Sequence, residues 1–394
     1  MRKFLFIIVL LPLMGAAGWW YFREQALPDY GPAYREYAYV SNGKSNTVSV
    51  IDLRTFELAK TIAVGISPTG IAPNHRKNEI YVVNSGSNNV SVIDTEKNAV
   101  VATIGVHGQP YFIDVAEDGK RAYVANSGSA NVSVIDLEKR AVLGNVRVGS
   151  APGLARVTPD GTTVVVSNRD DNTVTLIDPT LLRVRATLPV CQHPEDIAIL
   201  PDSSKAFVAC SGSSQVASIA LAGNRNGQPA SDRVLALLDV GRTPVSLALK
   251  PDGGEMMVCD FDSDSISIIE TANDEVGSSV LIGQHPAHGL VTLDNSRLYV
   301  SNFGSDSVAV YDIEMGRRIA TMPVGSHPEG LALSQDQRYL LVLDTQAGDV
   351  TVIQKRSARK LEPTEYSLLT MIPVGLQPNG IAVKAFMVTG PNTK

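Results

Sequence analysis

Eight prolines recur along this chain at near-fixed spacing: Pro68, Pro110, Pro152, Pro194, Pro244, Pro286, Pro328 and Pro378. The gaps are 42, 42, 42, 50, 42, 42 and 50 residues, and the step before each proline reads as Val-Gly or Ile-Gly in seven cases and Val190-Cys191 in the eighth. A fixed period of this length marks a repeat architecture, because each repeat is one supersecondary unit that buries its apolar faces only against its neighbours. Function does not follow from such a scaffold and has to be argued from a site.

The repeat beginning at Pro110 shows the local grammar. Tyr111–Val115 reads as a short apolar strand and Glu117-Asp118-Gly119-Lys120 as a turn, with Arg121–Ala125 as a second strand. Asn126–Ala130 is a polar turn, Asn131–Asp136 alternates as a third strand, and Ala141–Val148 supplies a fourth. Four antiparallel strands in about 42 residues make one blade of a β-propeller. A polar residue closes the second strand at Asn42, Asn84, Asn126, Asn168, Asp260, Asn302 and Asp344, with Cys210 the exception. Its recurrence argues for a local structural job, bonding turn backbone, rather than catalysis.

Counting closes the ring. Residues 37–63 supply second, third and fourth strands without a first, and residues 379–383 supply a first strand with nothing after it. Together they make one blade, so eight blades are favoured over seven, and joining the ends removes exposed sheet edges. The expected organisation is a signal anchor or signal peptide over 1–24, a linker over 25–36, an all-β propeller over 37–385 and a tail over 386–394. Each 50-residue gap carries eight extra residues between third and fourth strands, within 221–233 and 354–366. Those two loops emerge on one rim, where binding is often placed.

After Met1, Arg2 and Lys3 come nineteen uncharged residues, Phe4 to Phe22. A cleaved signal peptide would use Phe4–Leu13 and exit at Gly15-Ala16-Ala17-Gly18. The trio Trp19, Trp20 and Tyr21, just before Arg23, favours an uncleaved anchor over residues 4–22, with the rest of the chain exported and periplasmic or extracytoplasmic. A net charge of −6 gives no reason to expect a nucleic-acid partner. Cys191 and Cys210 lie close to the same repeat, within reach of a bridge. The preferred reading makes them, with Cys259, three small apolar residues near strand ends.

The phrases YVSNGKSNTVSVID (39–52), YVVNSGSNNVSVID (81–94), YVANSGSANVSVID (123–136) and YVSNFGSDSVAVYD (299–312) closely resemble YVTN-type β-propeller repeats over residues 37–385. The resemblance implies the fold and export, in a family of exported bacterial and archaeal surface-layer proteins whose relatives are sometimes labelled lactonases. Seven blades are usual there, so eight would be a departure.

Chemistry is expected at one channel mouth, formed by the turns between second and third strands and the connections between blades. The residue before each repeat proline lies there, and three of them are His193, His285 and His327. Glu195 and Glu329 follow closely, and His288 stands three residues after His285. These six residues are the candidate ligand-binding set. His285, His288 and His327 are the candidate ligands for a divalent Zn or Cu ion, against the alternative that the slot wants a polar side chain for turn backbone. The chain lacks a Cys-x-x-Cys-His haem motif, a Gly-x-Ser-x-Gly elbow and a Walker loop. The expectation is a non-catalytic binding or interaction scaffold for an envelope protein or small ligand, with a lactonase-like hydrolase using Glu195 and Glu329 as the alternative.

Overall fold

Alternating phrases such as NVSVID, too short and too β-branched for helix, pair as strands throughout. The computed structural model describes residues 30–222, 224–225, 228–229, 231–356 and 365–388. Eight four-stranded antiparallel sheets form eight blades. We label them I to VII from Pro68, Pro110, Pro152, Pro194, Pro244, Pro286 and Pro328, with strands a to d from first to last. Blade VIII is the composite: Pro378–Met387 as strand a, then Tyr34–Asn42, Thr47–Asp52 and Glu57–Ala63 as b, c and d. The first and last segments therefore share a sheet, as the strand count predicts. Strand b starts earlier and strand a ends later than predicted.

Glu36–Ala385 form one unit. Its core is eight apolar layers, each shared by two neighbouring blades. Between I and II, for example, Val90 and Val92 meet Ile113 and Val124. Between VII and VIII, Leu341 and Leu343 meet Val40 and Ile51. Eight interfaces between eight blades leave no open end. In the second unit, Tyr30 stacks on Tyr34 at 4.2 Å and the Val388 amide donates to Ala33 O. The anchor segment 4–22 lies outside the described residues, as do parts of the loops 221–233 and 354–366. Among the described residues, no helix is long and apolar enough to cross a membrane.

The repeat proline opens strand a, and the residue before it is left-handed in all eight blades, with φ between 48° and 55°. Its carbonyl accepts from the amide of the residue just after strand b in every case, at 2.9–3.3 Å. In five blades an Asn or Asp of the b–c turn, 21 residues earlier, accepts the amide of this pre-proline residue, as Asp264 does for His285. The repeated task is thus carried by backbone and by the turn, so the pre-proline side chains are released from it.

The polar residue closing strand b is fully buried and does bond locally, but mainly to strand c rather than to turn backbone. Asn84 Nδ2 donates to Asn89 Oδ1 at 2.8 Å and Ser91 Oγ at 2.9 Å, and Asn42, Asn126 and Asn168 repeat the pattern. Against it lies the glycine three residues before the proline. A Cβ on Gly65 would fall 2.7 Å from Asn84 Cβ. In the blade beginning at Pro110 that position is His107, Ile104-Gly105 standing two residues earlier. The His107 ring meets Asn131 Nδ2 at 2.9 Å.

Blade IV breaks both halves of the couple together. Cys191 stands in the glycine slot and Cys210 in the asparagine slot, and they form a disulfide with Cα atoms 5.7 Å apart. The preference for three unpaired apolar cysteines is therefore corrected: only Cys259 is free, and it is buried. The strand-c hydroxyl that accepts from the asparagine in blades I, II and VIII, at Ser91, Ser133 and Ser49, is absent here at Ala217, as it is at Ala309 of blade VI.

Candidate functional site

Strand a runs from the upper face, with its d–a connections and b–c turns, to the lower face of a–b and c–d turns. Pre-proline side chains and those just after strand b therefore crowd the upper mouth of the channel. Two clusters form there. In blades V to VII, Phe261 stacks on His285 at 4.6 Å and 7°, Phe303 stacks on His327 at 4.3 Å and 26°, and the two phenylalanines lie 6.0 Å apart. Each imidazole of one blade covers the phenylalanine of the blade before it. Gly304 allows the close approach, because a Cβ there would meet His285 Nδ1 at 2.7 Å.

The second cluster spans blades II to IV. The Arg169 guanidinium lies over the Tyr111 ring at 4.4 Å and 3.7 Å from Glu195 Oε2. Glu195 Oε1 is 3.3 Å from His193 Nδ1, which also meets Ser211 Oγ at 3.0 Å. Burial pushes the Glu195 carboxyl up, while Arg169 and His193 pull it down. Burial likewise raises Glu329, with Thr345 and His327 opposing.

Five of the six candidate residues thus sit at the upper mouth, in two groups. His288 does not. It faces a cavity of about 410 Å³ in the lower half of the channel, 3.3 Å from Ser246 Oγ. Burial holds its imidazole below the ordinary range against the pull of Asp196. The three histidines considered for a metal therefore do not converge: two are turned onto phenylalanines and one is in the channel. Among the described residues, no three His, Cys, Asp or Glu side chains are grouped to hold a metal.

The lower cavity holds residues the sequence reading passed over. Four positions after the repeat proline, five blades carry alanine, but blade II has Asp114 and blade III has Arg156. Two positions after it, where blades I, VII and VIII carry glycine, blade IV has Asp196. Asp114 Oδ2 accepts from the Val157 amide at 2.9 Å and Asp196 Oδ2 from the Leu247 amide at 2.8 Å, so each acid clasps the next blade. Arg156 lies over Phe112 at 4.9 Å and 3.9 Å from Asp196 Oδ1. Burial pushes the Asp114 carboxyl up, opposed by Arg156, by the Val157 and Val115 amides and by His75. Departure from a small residue at these inward positions was the available signal.

The comparisons agree on the architecture. The family model described as YNCE-like beta-propeller matches residues 18–156 and 149–362. No curated protein matches the chain. Among solved structures, dihydro-heme d1 dehydrogenase NirN in complex with DHE is similar at TM-score 0.68 and 16% identity, over 88% of this chain and 74% of that one. Kuenenia stuttgartiensis hydrazine synthase is similar at TM-score 0.56 and 22% identity, over 70% of this chain and 91% of that one. A functionally unknown protein from Desulfotomaculum acetoxidans DSM 771 is similar at TM-score 0.60 and 17% identity, over 78% and 99%. These likenesses are of fold.

Proposed function

We propose that this chain, which belongs to the YNCE-like β-propeller family, acts as an exported, membrane-tethered and non-catalytic binding scaffold of the cell envelope. The observation that carries the binding role is the upper-mouth arc of Phe261, His285, Phe303 and His327. Stacked rings at a rigid rim offer flat, polarisable surface at low entropic cost, suited to aromatic or planar groups of a partner. The Arg169–Tyr111 pair gives a second flat surface beside a carboxylate. Export is supported by the Cys191–Cys210 disulfide, which persists in oxidising compartments, and by the Arg2-Lys3 and Phe4–Phe22 pattern.

The two enzymes of similar fold carry no activity across, since propellers host unrelated chemistries. The test places a photo-crosslinking side chain at Thr345 of the anchored protein in intact cells. One envelope partner should be captured, and Phe261→Ala with Phe303→Ala should lose it. Turnover of a lactone panel that drops with Glu195→Gln or Glu329→Gln would replace this reading by the hydrolase one.

A further inference from the structure

The lower cavity is separate from the upper-mouth arc, and its charges are poorly matched within the protein. Arg156 is its one arginine, and among the described residues its guanidinium donates no hydrogen bond. Its nearest carboxylate oxygen is at 3.9 Å, and its buried Nε has no partner. Such a fork is a ready donor site for a carboxylate, which it can hold through two parallel N–H bonds. On the neighbouring blade, Asp114 has only backbone amides as hydrogen-bond partners and no cation within 4 Å. Glu117 lines the same space. A plain anion on Arg156 would face three carboxylates, and a plain cation near Asp114 would face the arginine. One molecule carrying both charges answers both demands. Apart from His75 and His288 the remaining wall is largely aliphatic, with the half-buried Ile199, Leu249 and Leu290, and the volume of about 410 Å³ lies at the small end for ligand pockets.

We propose that the lower channel is a binding site for a small aliphatic zwitterion of the α-amino-acid kind, its carboxylate on Arg156, its ammonium on Asp114 and its side chain against the half-buried Leu249 and Leu290. His288 lines the same cavity, and burial holds its imidazole below the ordinary range against the pull of Asp196. Asp196 holds the Leu247 strand and flanks Arg156 without consuming its donors.

The experiment is calorimetric titration of the full-length chain in detergent with L-leucine, L-leucinamide, N-acetyl-L-leucine and isovalerate, up to about 10 mM. L-leucine should bind one to one. The amide lacks the carboxylate and the other two lack the ammonium, so each should bind at least about tenfold more weakly. Arg156→Gln and Asp114→Asn should each lose about tenfold for L-leucine; the asparagine keeps an oxygen for the Val157 amide. Phe303→Ala should leave this binding unchanged, which separates the site from the upper-mouth reading. The proposal is overturned if L-leucine does not bind, if the analogues match it, or if Arg156→Gln binds as well as the parent. Should either channel variant fail to fold, the ranking of the four probes on the parent decides alone.

Discussion

Breaking the Cys191–Cys210 bond should destabilise the propeller by about 3 kcal/mol. The bridge spans 19 residues, and the loop-entropy relation for that length gives about 11 cal/mol/K, or about 3 kcal/mol at room temperature. Unfolding the 350 residues from Glu36 to Ala385 (385 − 36 + 1) carries about 2.1 cal/mol/K each, so the melting temperature should fall by about 4 °C. The assay compares thermal unfolding with and without a phosphine reductant, and the Cys191→Ala/Cys210→Ala variant with both. Because the two sulfurs stand in for a glycine–asparagine couple, a stricter variant follows. Cys191→Gly with Cys210→Asn restores the couple but leaves the new amide without its second acceptor, costing about 1 kcal/mol. Adding Ala217→Ser should return that amount and give a protein indifferent to reductant. Alkylation of the denatured, unreduced chain should find one thiol, Cys259. Three thiols, or an unchanged melting temperature on reduction, would refute the reasoning.

Truncation after Ile372 removes strand a of blade VIII and opens the interfaces with blades VII and I, so circular dichroism should show loss of cooperative unfolding rather than a small shift. Gly65→Ala drives a Cβ to 2.7 Å from Asn84 at ordinary backbone angles, and denaturant unfolding should register about 1–3 kcal/mol of crowding. Asp260 occupies the buried slot filled by asparagine in most blades, and burial pushes its carboxyl up to about 6. A raised acid favours the folded state below the unfolded carboxylate range and loses that contribution as pH climbs to the folded value. Asp260→Asn should therefore gain on the parent between pH 4 and 6, by up to about 3 kcal/mol, and hold that gain to pH 8. A pH-independent difference would contradict the burial argument.

The ring was legible because its repeated residues do backbone work. Each proline opens strand a, and the left-handed residue before it accepts an amide from the end of strand b, so the period in sequence is the period in space. Blade VIII was legible by subtraction for the same reason. The disulfide was half legible: Cys191 and Cys210 were the two exceptions to two separate patterns, and they fall in one blade. Taken singly, each resembled drift; a glycine and the polar residue closing strand b touch at these slots in six of the other blades, and that contact makes them one event. The channel was least legible, and the cause lies in strand a. Its register with strand b shifts within three residues of the proline in blades I to VII, so period-two alternation does not predict which residues turn inward. His288, three residues from His285, looked like a neighbour at the mouth and instead faces the lower cavity. Asp114 and Arg156 sit beyond the same irregularity, in a slot where most blades carry alanine. Once the register is known, those substitutions stand out as charges set on the channel wall of an otherwise small-residue strand, and there this propeller departs furthest from its own repeat.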